Sequence, residues 1–222
     1  MNWLKLIKLW NKYNPVFLNG LKGTLWISAV VLVLGSVLGL IVSLIRMARF
    51  KPVKWIGSIY IEILRGTPIL LQLYFFWIGL PKLLPMLELS DTQCILVALI
   101  INASAYISEI FRAGIDAVDK GQFEAARSLG MTEAHVMTRV VLPQAIKNIL
   151  PALGNEFIST IKGTSLASVF FVAELMTAQK TIQSATFLAL ESLTIVGIIY
   201  FVLSFSLSKL MKLLERRLKA SE

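Results

Sequence analysis

The residues of this chain that could take part in chemistry are a few charged side chains that interrupt long apolar segments. Arg65, Glu109 and Glu156 each lie within a run of hydrophobic residues. A charge inside a membrane-spanning segment is costly, so it usually faces another polar group or a water-filled cavity. These side chains therefore either bind a ligand or form structural ion pairs. The candidate ion pairs are Glu62–Arg65 and Glu109–Arg112.

No residue pattern in the sequence is typical of an enzyme or of a metal site. The chain has one histidine, His135, and one cysteine, Cys94. Metal sites and thiol–histidine catalytic sites need clusters of these residues, and a glycine-rich phosphate-binding loop is missing from the sequence as well. The sequence therefore predicts no catalytic residue, no metal, no cofactor and no hydrolysis of ATP by the chain itself.

The composition indicates an integral membrane protein with a single domain. Of the 222 residues, 56% are hydrophobic and only 16% are charged, whereas roughly a quarter of a soluble domain is charged. The net charge of +9 comes from basic residues that cluster at the ends of apolar segments, which suits contact with anionic lipid better than binding of nucleic acid. The clustered residues are Arg46, Arg49, Lys51, Lys54, Lys209, Lys212, Arg216, Arg217 and Lys219.

The apolar runs predict an all-α protein with five membrane spans, at about 23–45, 56–80, 92–111, 155–176 and 188–210. An interfacial amphipathic helix in 1–20, ended by Asn14-Pro15, precedes the membrane domain of 21–215, and a cytoplasmic tail of 216–222 follows it. The basic cluster after the first span places that end in the cytoplasm, so the N-terminus lies outside and the C-terminus inside. Lysines 5, 8, 12 and 22 argue against this orientation. The polar stretch of 177–184 is expected to be an outer loop.

The third span carries polar residues on one helical face, and the second carries a predicted break. Asn102, Tyr106 and Glu109 share one face of the third span, where Asn102 either binds a ligand or bonds a neighbouring helix. In the second span, Gly66-Thr67-Pro68 predicts a kink or an unwound turn, because proline lacks a backbone donor. A broken helix of this kind exposes backbone groups to a ligand, as in transporters.

The stretch of 122–153 is the longest polar interruption of the apolar chain, and it lies in the cytoplasmic segment 112–153. A short helix over 123–129 is expected, ended by Gly130 with a positive φ. Leu142-Pro143 is expected to turn the chain back to the membrane. Such a helix suits docking onto a soluble partner.

Four ordered motifs of the sequence resemble those of ABC-importer permeases for polar amino acids. Glu124-Ala125-Ala126, Gly130 and Leu142-Pro143 match the EAA signature E-A-A-x3-G-x9-I-x-L-P, with Val140 in place of isoleucine. The other motifs are similar to the RGTP, GAYxxEIxRAGI, and GNEF with KxTSL blocks of that family. Their counterparts here are 65–68, 105–115, and 154–157 with 162–166.

This resemblance implies a type I ABC-importer permease fold, with five helices and a coupling helix between the third and the fourth. It implies a bacterial inner-membrane protein that pairs with a second, identical or homologous, permease chain. It further implies two cytoplasmic ATP-binding subunits, and an extracytoplasmic binding protein that delivers an amino acid. The residues that the resemblance assigns to coupling are Glu124, Ala125, Ala126, Gly130, Leu142 and Pro143.

The resemblance also places the substrate midway in the membrane, among residues of the second, third and fourth spans. Those residues are Arg65, Thr67, Pro68, Asn102, Ser104, Ala105, Tyr106, Glu109 and Glu156. Ser104 stands where the family usually has glycine. The alternative function is an ion-gradient-driven secondary amino-acid carrier that uses Glu109 or Glu156 as its ion site. A docking helix in the cytoplasmic segment favours the ATP-driven importer.

Overall fold

The computed structural model describes residues 3–48 and 50–219, so the predictions for Arg49 and for the two chain ends beyond these ranges lie outside the described residues. The regular structure of the described residues is entirely helical, as the sequence predicts. The α-helices are α1 (Trp3–Met47), α2 (Lys51–Gly66), α3 (Ile69–Leu83), α4 (Asp91–Asp116), α5 (Lys120–Ser128), α6 (Glu133–His135), α7 (Leu142–Gly163), α8 (Leu175–Thr186) and α9 (Ala189–Lys219).

Three of these helices are long and apolar enough to cross a membrane, namely α1, α4 and α9. Two further pairs reach that length only together: α2 with α3, bent by 109°, and the helix of Glu133–Phe170 with α8, bent by 45°. The described residues thus provide three spans, or up to five when each bent pair counts as one. Counted that way, these elements overlap the predicted spans in sequence, although α1 begins 20 residues before the first of them.

The first helix runs through Pro15 without a break, so the predicted helix end at Asn14-Pro15 is wrong. Proline has no N–H to donate to the carbonyl four residues earlier. The side-chain amide of Asn14 donates to that carbonyl, of Asn11, at 3.4 Å. Leu6, Leu9 and Phe17 are buried in one cluster with residues of α8 and α9. This packing holds the N-terminal turns in the helix despite the proline.

The fourth helix packs against α1, α2, α3 and α7 and so lies at the centre of the bundle. Its close approach to α1 depends on small residues, because a Cβ added to Gly39 would lie 3.0 Å from the carbonyl oxygen of Ser104. Four residues from different helices, Val31, Leu73, Leu99 and Phe170, belong to the largest buried cluster. The ends of α2 and α3 meet α4 beside this cluster.

The chain does not turn back at Leu142-Pro143 as predicted, because both residues lie inside a continuous helix. A π-helical segment, Val136–Val141, precedes them, and the N–H of Leu142 bonds to the carbonyl of Met137, five residues earlier. The wider turn accommodates Pro143, which cannot donate an α-helical bond. The reversal of direction lies earlier, between α5 and α6.

The outer loop predicted at 177–184 is also wrong, because this segment is part of α8. Glu174 begins the helix: its carboxylate accepts the N–H of Met176 at 2.8 Å and that of Thr177 at 2.5 Å. The hydroxyl of Tyr200 donates to the same carboxylate at 3.1 Å. Burial of Leu175 and Ile182 then stabilises a helix that its polar composition alone does not favour.

Candidate functional site

A cavity of about 420 Å³ lies between the bend that joins α2 to α3 and the helices α4 and α7. Among its described lining residues, Glu156 is the only one with a charged side chain. We call it the bend cavity. Five predicted substrate residues line it: Thr67, Pro68, Asn102, Tyr106 and Glu156.

A second cavity of about 760 Å³ adjoins the first and shares Tyr106 and Glu156 with it. We call it the wide cavity. Arg65 and Glu109, two more of the predicted substrate residues, line this cavity and not the bend cavity. Tyr106 and Glu156 therefore stand at the boundary between the two spaces.

The bend beside the first cavity follows from the predicted break at Gly66-Thr67-Pro68. Thr67 precedes a proline and is extended, with φ −117° and ψ 147°, as the proline ring requires. Pro68 has no N–H for the carbonyl of Leu64, and the side-chain amide of Gln72 donates to that carbonyl instead, at 2.7 Å. The same nitrogen donates to the Thr67 hydroxyl at 2.8 Å. The Leu64 carbonyl, which the proline leaves without its helical donor, is thus hydrogen-bonded within the protein.

Gln72 also connects the bend to α4, a role that the sequence analysis missed. Its side-chain oxygen accepts a hydrogen bond from the amide nitrogen of Asn102 at 2.9 Å. Both side chains are buried. The available signal was position: Gln72 is a polar residue in an apolar run, one helical turn after Pro68. The proposed interhelical role of Asn102 is confirmed by this bond, and Asn102 lines the bend cavity as well.

Ser104 and Ala105 do not line either cavity, although the resemblance places them among the substrate residues. Both are fully buried. The Ser104 hydroxyl lies 2.7 Å from the hydroxyl of Tyr60 on α2, and Ala105 packs in a cluster with Val42 and Ile61. They lie on the side of α4 that packs against α1 and α2.

Glu109 is the centre of a group of arginines from three helices. It accepts a hydrogen bond from Arg112 at 2.9 Å and forms an ion pair with Arg46 of α1. The guanidinium of Arg65 approaches it to 3.9 Å and also lies over the ring of Tyr106, 5.6 Å from its centroid. The predicted Glu109–Arg112 pair is confirmed. Among the described residues, the acidic partner of Arg65 is Glu109 and not Glu62.

The predicted coupling helix is α5, which begins three residues earlier and ends one residue earlier than expected. Its end is a Schellman motif: the N–H of Met131 bonds to the carbonyl of Ala126 at 3.2 Å, and that of Gly130 to the carbonyl of Arg127 at 2.9 Å. Gly130 has a φ of +77°, which confirms the predicted left-handed conformation. A side chain at this position would meet nothing within 4 Å, so the glycine is required for its backbone angles and not for space.

Exposed residues cover the outer side of α5, while its inner side packs on the following helix. Glu124, Ala125 and Leu129 are exposed, whereas Ala126 is buried against Val136 and Val141. Of the other predicted coupling residues, Leu142 is half-buried and Pro143 is exposed.

An ion pair holds the turn after α5. The guanidinium of Arg127 donates to both carboxylate oxygens of Glu133, at 2.7 and 3.0 Å. These hydrogen bonds raise the pKa of Arg127 above its usual value. The turn after α5 is thus held by the backbone bonds around Gly130 and by the ion pair between Arg127 and Glu133.

Comparison with known proteins identifies a matching family and several similar chains. Residues 23–220 match the family described as "Binding-protein-dependent transport system inner membrane component". The chain is 41% identical over 208 residues to the arginine transport system permease protein ArtQ of Bacillus subtilis, with 94% of each chain covered. It is 37% identical over 205 residues to the glutamine transport system permease protein GlnP of Escherichia coli K12, covering 92% of this chain and 94% of that one.

Solved structures show the same likeness. A crystal structure of an amino acid ABC transporter with histidines contains a chain of 45% identity and TM-score 0.91, with 98% of this chain and 99% of that chain covered. A chain of the inward-facing MetNI methionine ABC transporter has a TM-score of 0.70 at 19% identity, with 90% and 96% covered. At that identity the second comparison concerns the fold alone.

Proposed function

The chain belongs to the family of inner-membrane components of binding-protein-dependent transport systems, and on that premise we propose that it is the permease subunit of an ATP-driven importer for a polar amino acid. It is a multi-pass membrane protein with the all-α fold of type I ABC-importer permeases, as expected from the sequence. In the proposed assembly it pairs with a second permease chain and two ATP-binding subunits. A binding protein delivers the amino acid from outside.

The bend cavity supports an amino acid as the substrate. Its volume of about 420 Å³ suits a small ligand, and Glu156 supplies a carboxylate for the ligand's ammonium group. Two of the relatives described above are named as permease proteins of arginine and glutamine transport systems. Thr67, Pro68 and Asn102 complete the proposed contacts from the bend and from α4, while Tyr106 separates the site from the wide cavity.

The exposed side of α5 supports coupling to the ATP-binding subunits. Glu124, Ala125 and Leu129 face away from the bundle, and the Schellman motif at Gly130 fixes their direction. Ala126 contributes indirectly, because its small buried side chain brings α5 close to the next helix. ATP-driven closure of the partner subunits then moves the bundles between outward- and inward-facing states.

The basic residues near the C-terminal ends of α1 and α9 support an orientation with the N-terminus outside and the C-terminus in the cytoplasm. In that orientation α5 is cytoplasmic, where an ATP-binding subunit can reach it. Labelling of single cysteines placed in α5, in intact cells, tests this orientation.

The observation that carries the proposal is the single carboxylate of Glu156 in the bend cavity. The full-length chain is purified with the subunits that accompany it, reconstituted in liposomes, and assayed for ATP-dependent uptake of radiolabelled L-arginine and L-glutamine. Glu156→Gln is expected to weaken uptake by about tenfold or more at limiting substrate, because a charged hydrogen bond is lost. Glu191→Gln, at a carboxylate outside both cavities, is the matched control.

Two outcomes contradict the proposal. Uptake that is driven by an imposed proton or sodium gradient without ATP identifies a secondary carrier instead. Unchanged uptake by Glu156→Gln, with the variant assembled normally, removes Glu156 from the substrate site.

A further inference from the structure

We propose that Gln72 is a positioning residue for the ligand. It orients the side-chain amide of Asn102 so that the Asn102 oxygen and the Glu156 carboxylate together face the bend cavity as acceptors for a cationic group. This inference rests on the proposed function of the cavity, and it adds a residue that does not line the cavity itself.

The hydrogen bonds of Gln72 determine the direction of its side-chain amide. A side-chain amide donates from its nitrogen and accepts at its oxygen. The nitrogen of Gln72 lies 2.7 Å from the Leu64 carbonyl and 2.8 Å from the Thr67 hydroxyl oxygen. A carbonyl can only accept, and the Thr67 hydroxyl already donates to the carbonyl of Ile63 at 2.8 Å. The nitrogen end of Gln72 must therefore point to the bend.

The orientation of Gln72 determines the orientation of Asn102 on α4. With its nitrogen at the bend, Gln72 presents its oxygen to Asn102, and only the amide nitrogen of Asn102 can donate to it, at 2.9 Å. The reverse orientation of Asn102 would bring two oxygens together in a buried place, which is unfavourable. The Asn102 oxygen is left to accept from the cavity that this residue lines.

The charge of the bend cavity favours a cationic ligand. Glu156 is the only charged side chain among its described lining residues. Three arginines of the bundle lie outside it: Arg65 borders the wide cavity, and Arg46 and Arg112 contact Glu109. Two acceptors and a negative charge match a group that carries several N–H donors and a positive charge, namely an ammonium or a guanidinium.

The origin of this orientation is Pro68. The proline removes the donor for the Leu64 carbonyl, Gln72 replaces that donor, and the replacement fixes Asn102. A structural feature of the backbone thus determines which end of an amide the ligand meets. The chain of bonds joins two elements that line the same cavity, so a change at Gln72 is transmitted to the ligand through Asn102.

The test measures ligand binding by the full-length chain, together with its accompanying subunits, in lipid nanodiscs. Radiolabelled L-arginine and L-glutamine are the probes. Gln72→Met and Asn102→Leu are each expected to weaken binding of the bound probe by about tenfold, because each removes one hydrogen bond that shapes the site. The double variant is expected to bind no more weakly than Asn102→Leu alone, since Gln72 acts through Asn102.

A second variant replaces the hydrogen bonds of Gln72 with those of another side chain. The variant Gln72→Glu places a carboxyl group in the same buried position, where the protonated form is favoured and its O–H donates to the Leu64 carbonyl while its other oxygen accepts from Asn102. The variant therefore retains both hydrogen bonds. It is expected to bind within about threefold of the wild type if Gln72 acts through Asn102. Gln179→Met is the matched control, because Gln179 is a buried glutamine that bonds Ser192 and lines neither cavity. It is expected to leave binding unchanged.

The inference is overturned if Gln72→Met and Asn102→Leu have additive effects on binding. It is also overturned if Gln72→Met and Gln72→Glu weaken binding equally. In both cases the proposed function still stands. Failure of the wild type to bind either probe overturns both the inference and the proposed function.

Where L-arginine binds, competition by N-acetyl-L-arginine and L-citrulline identifies the group that is held. Loss of competition by one of them supports the α-ammonium or the guanidinium, respectively, whereas full competition by both overturns the cationic assignment.

Discussion

Arg46 at the end of α1 and Glu109 on α4 form an ion pair that joins two helices. The same carboxylate accepts a hydrogen bond from Arg112 at 2.9 Å and lies 3.9 Å from the guanidinium of Arg65 on α2. The Glu109 side chain is only 18% exposed. One carboxylate therefore balances positive charges from three helices where α1, α2 and α4 meet.

Glu109→Gln should destabilise the protein more than an exposed carboxylate substitution does. It leaves the partly buried Arg46 without a negative partner, and we expect a loss of roughly 1–3 kcal/mol in the free energy of unfolding. Thermal melting of the purified chain in detergent measures the effect. Glu62→Gln, at an exposed carboxylate on α2, is the control and should stay within about 0.5 kcal/mol of the wild type. Equal melting temperatures for both variants would show that Glu109 does not stabilise the protein more than an exposed carboxylate does.

Gly130→Asp should abolish ATP-coupled uptake while the permease still inserts into the membrane. The φ of +77° at this position is strained for a residue with a side chain, and a carboxylate is added beside the exposed end of α5. Membrane fractionation and ATP-dependent uptake in liposomes are measured together. Gly197→Ala, where an added Cβ meets nothing within 4 Å, is the control with full uptake. If Gly130→Asp keeps ATP-coupled uptake, α5 is not the coupling helix.

Tyr106→Leu should weaken uptake, whereas Tyr106→Phe should not. The Arg65 guanidinium lies 5.6 Å from the centroid of the Tyr106 ring, and this cation–π contact, worth roughly 0.5–1 kcal/mol, needs the ring and not the hydroxyl. We expect an increase of about two- to fivefold in the KM of Tyr106→Leu. Equal weakening by the two variants would assign the effect to the hydroxyl, and wild-type uptake by both would exclude a role of Tyr106 in uptake.

The sequence determined the features that depend on neighbouring residues. The apolar runs required a helical membrane protein, because only helices satisfy backbone hydrogen bonds within one segment in lipid. The break before Pro68 and the left-handed Gly130 follow from local backbone constraints. The same local rules failed at Pro15 and Pro143, where the helix continues through the proline. At Pro15, Asn14 supplies a replacement donor, and before Pro143 a π-helical segment widens the turn.

Only the tertiary structure decided which side chains meet. Asn102 and Ser104 are two residues apart, yet one lines the bend cavity and the other packs against α2. Helical periodicity predicts that they face different sides, but it does not say which side holds the cavity. The 109° bend and the contact of Gln72 with Asn102 likewise depend on how α2, α3 and α4 pack. These contacting residues are distant in the chain. Which of them meet depends on how whole helix faces pack together, and a local sequence pattern does not contain that information.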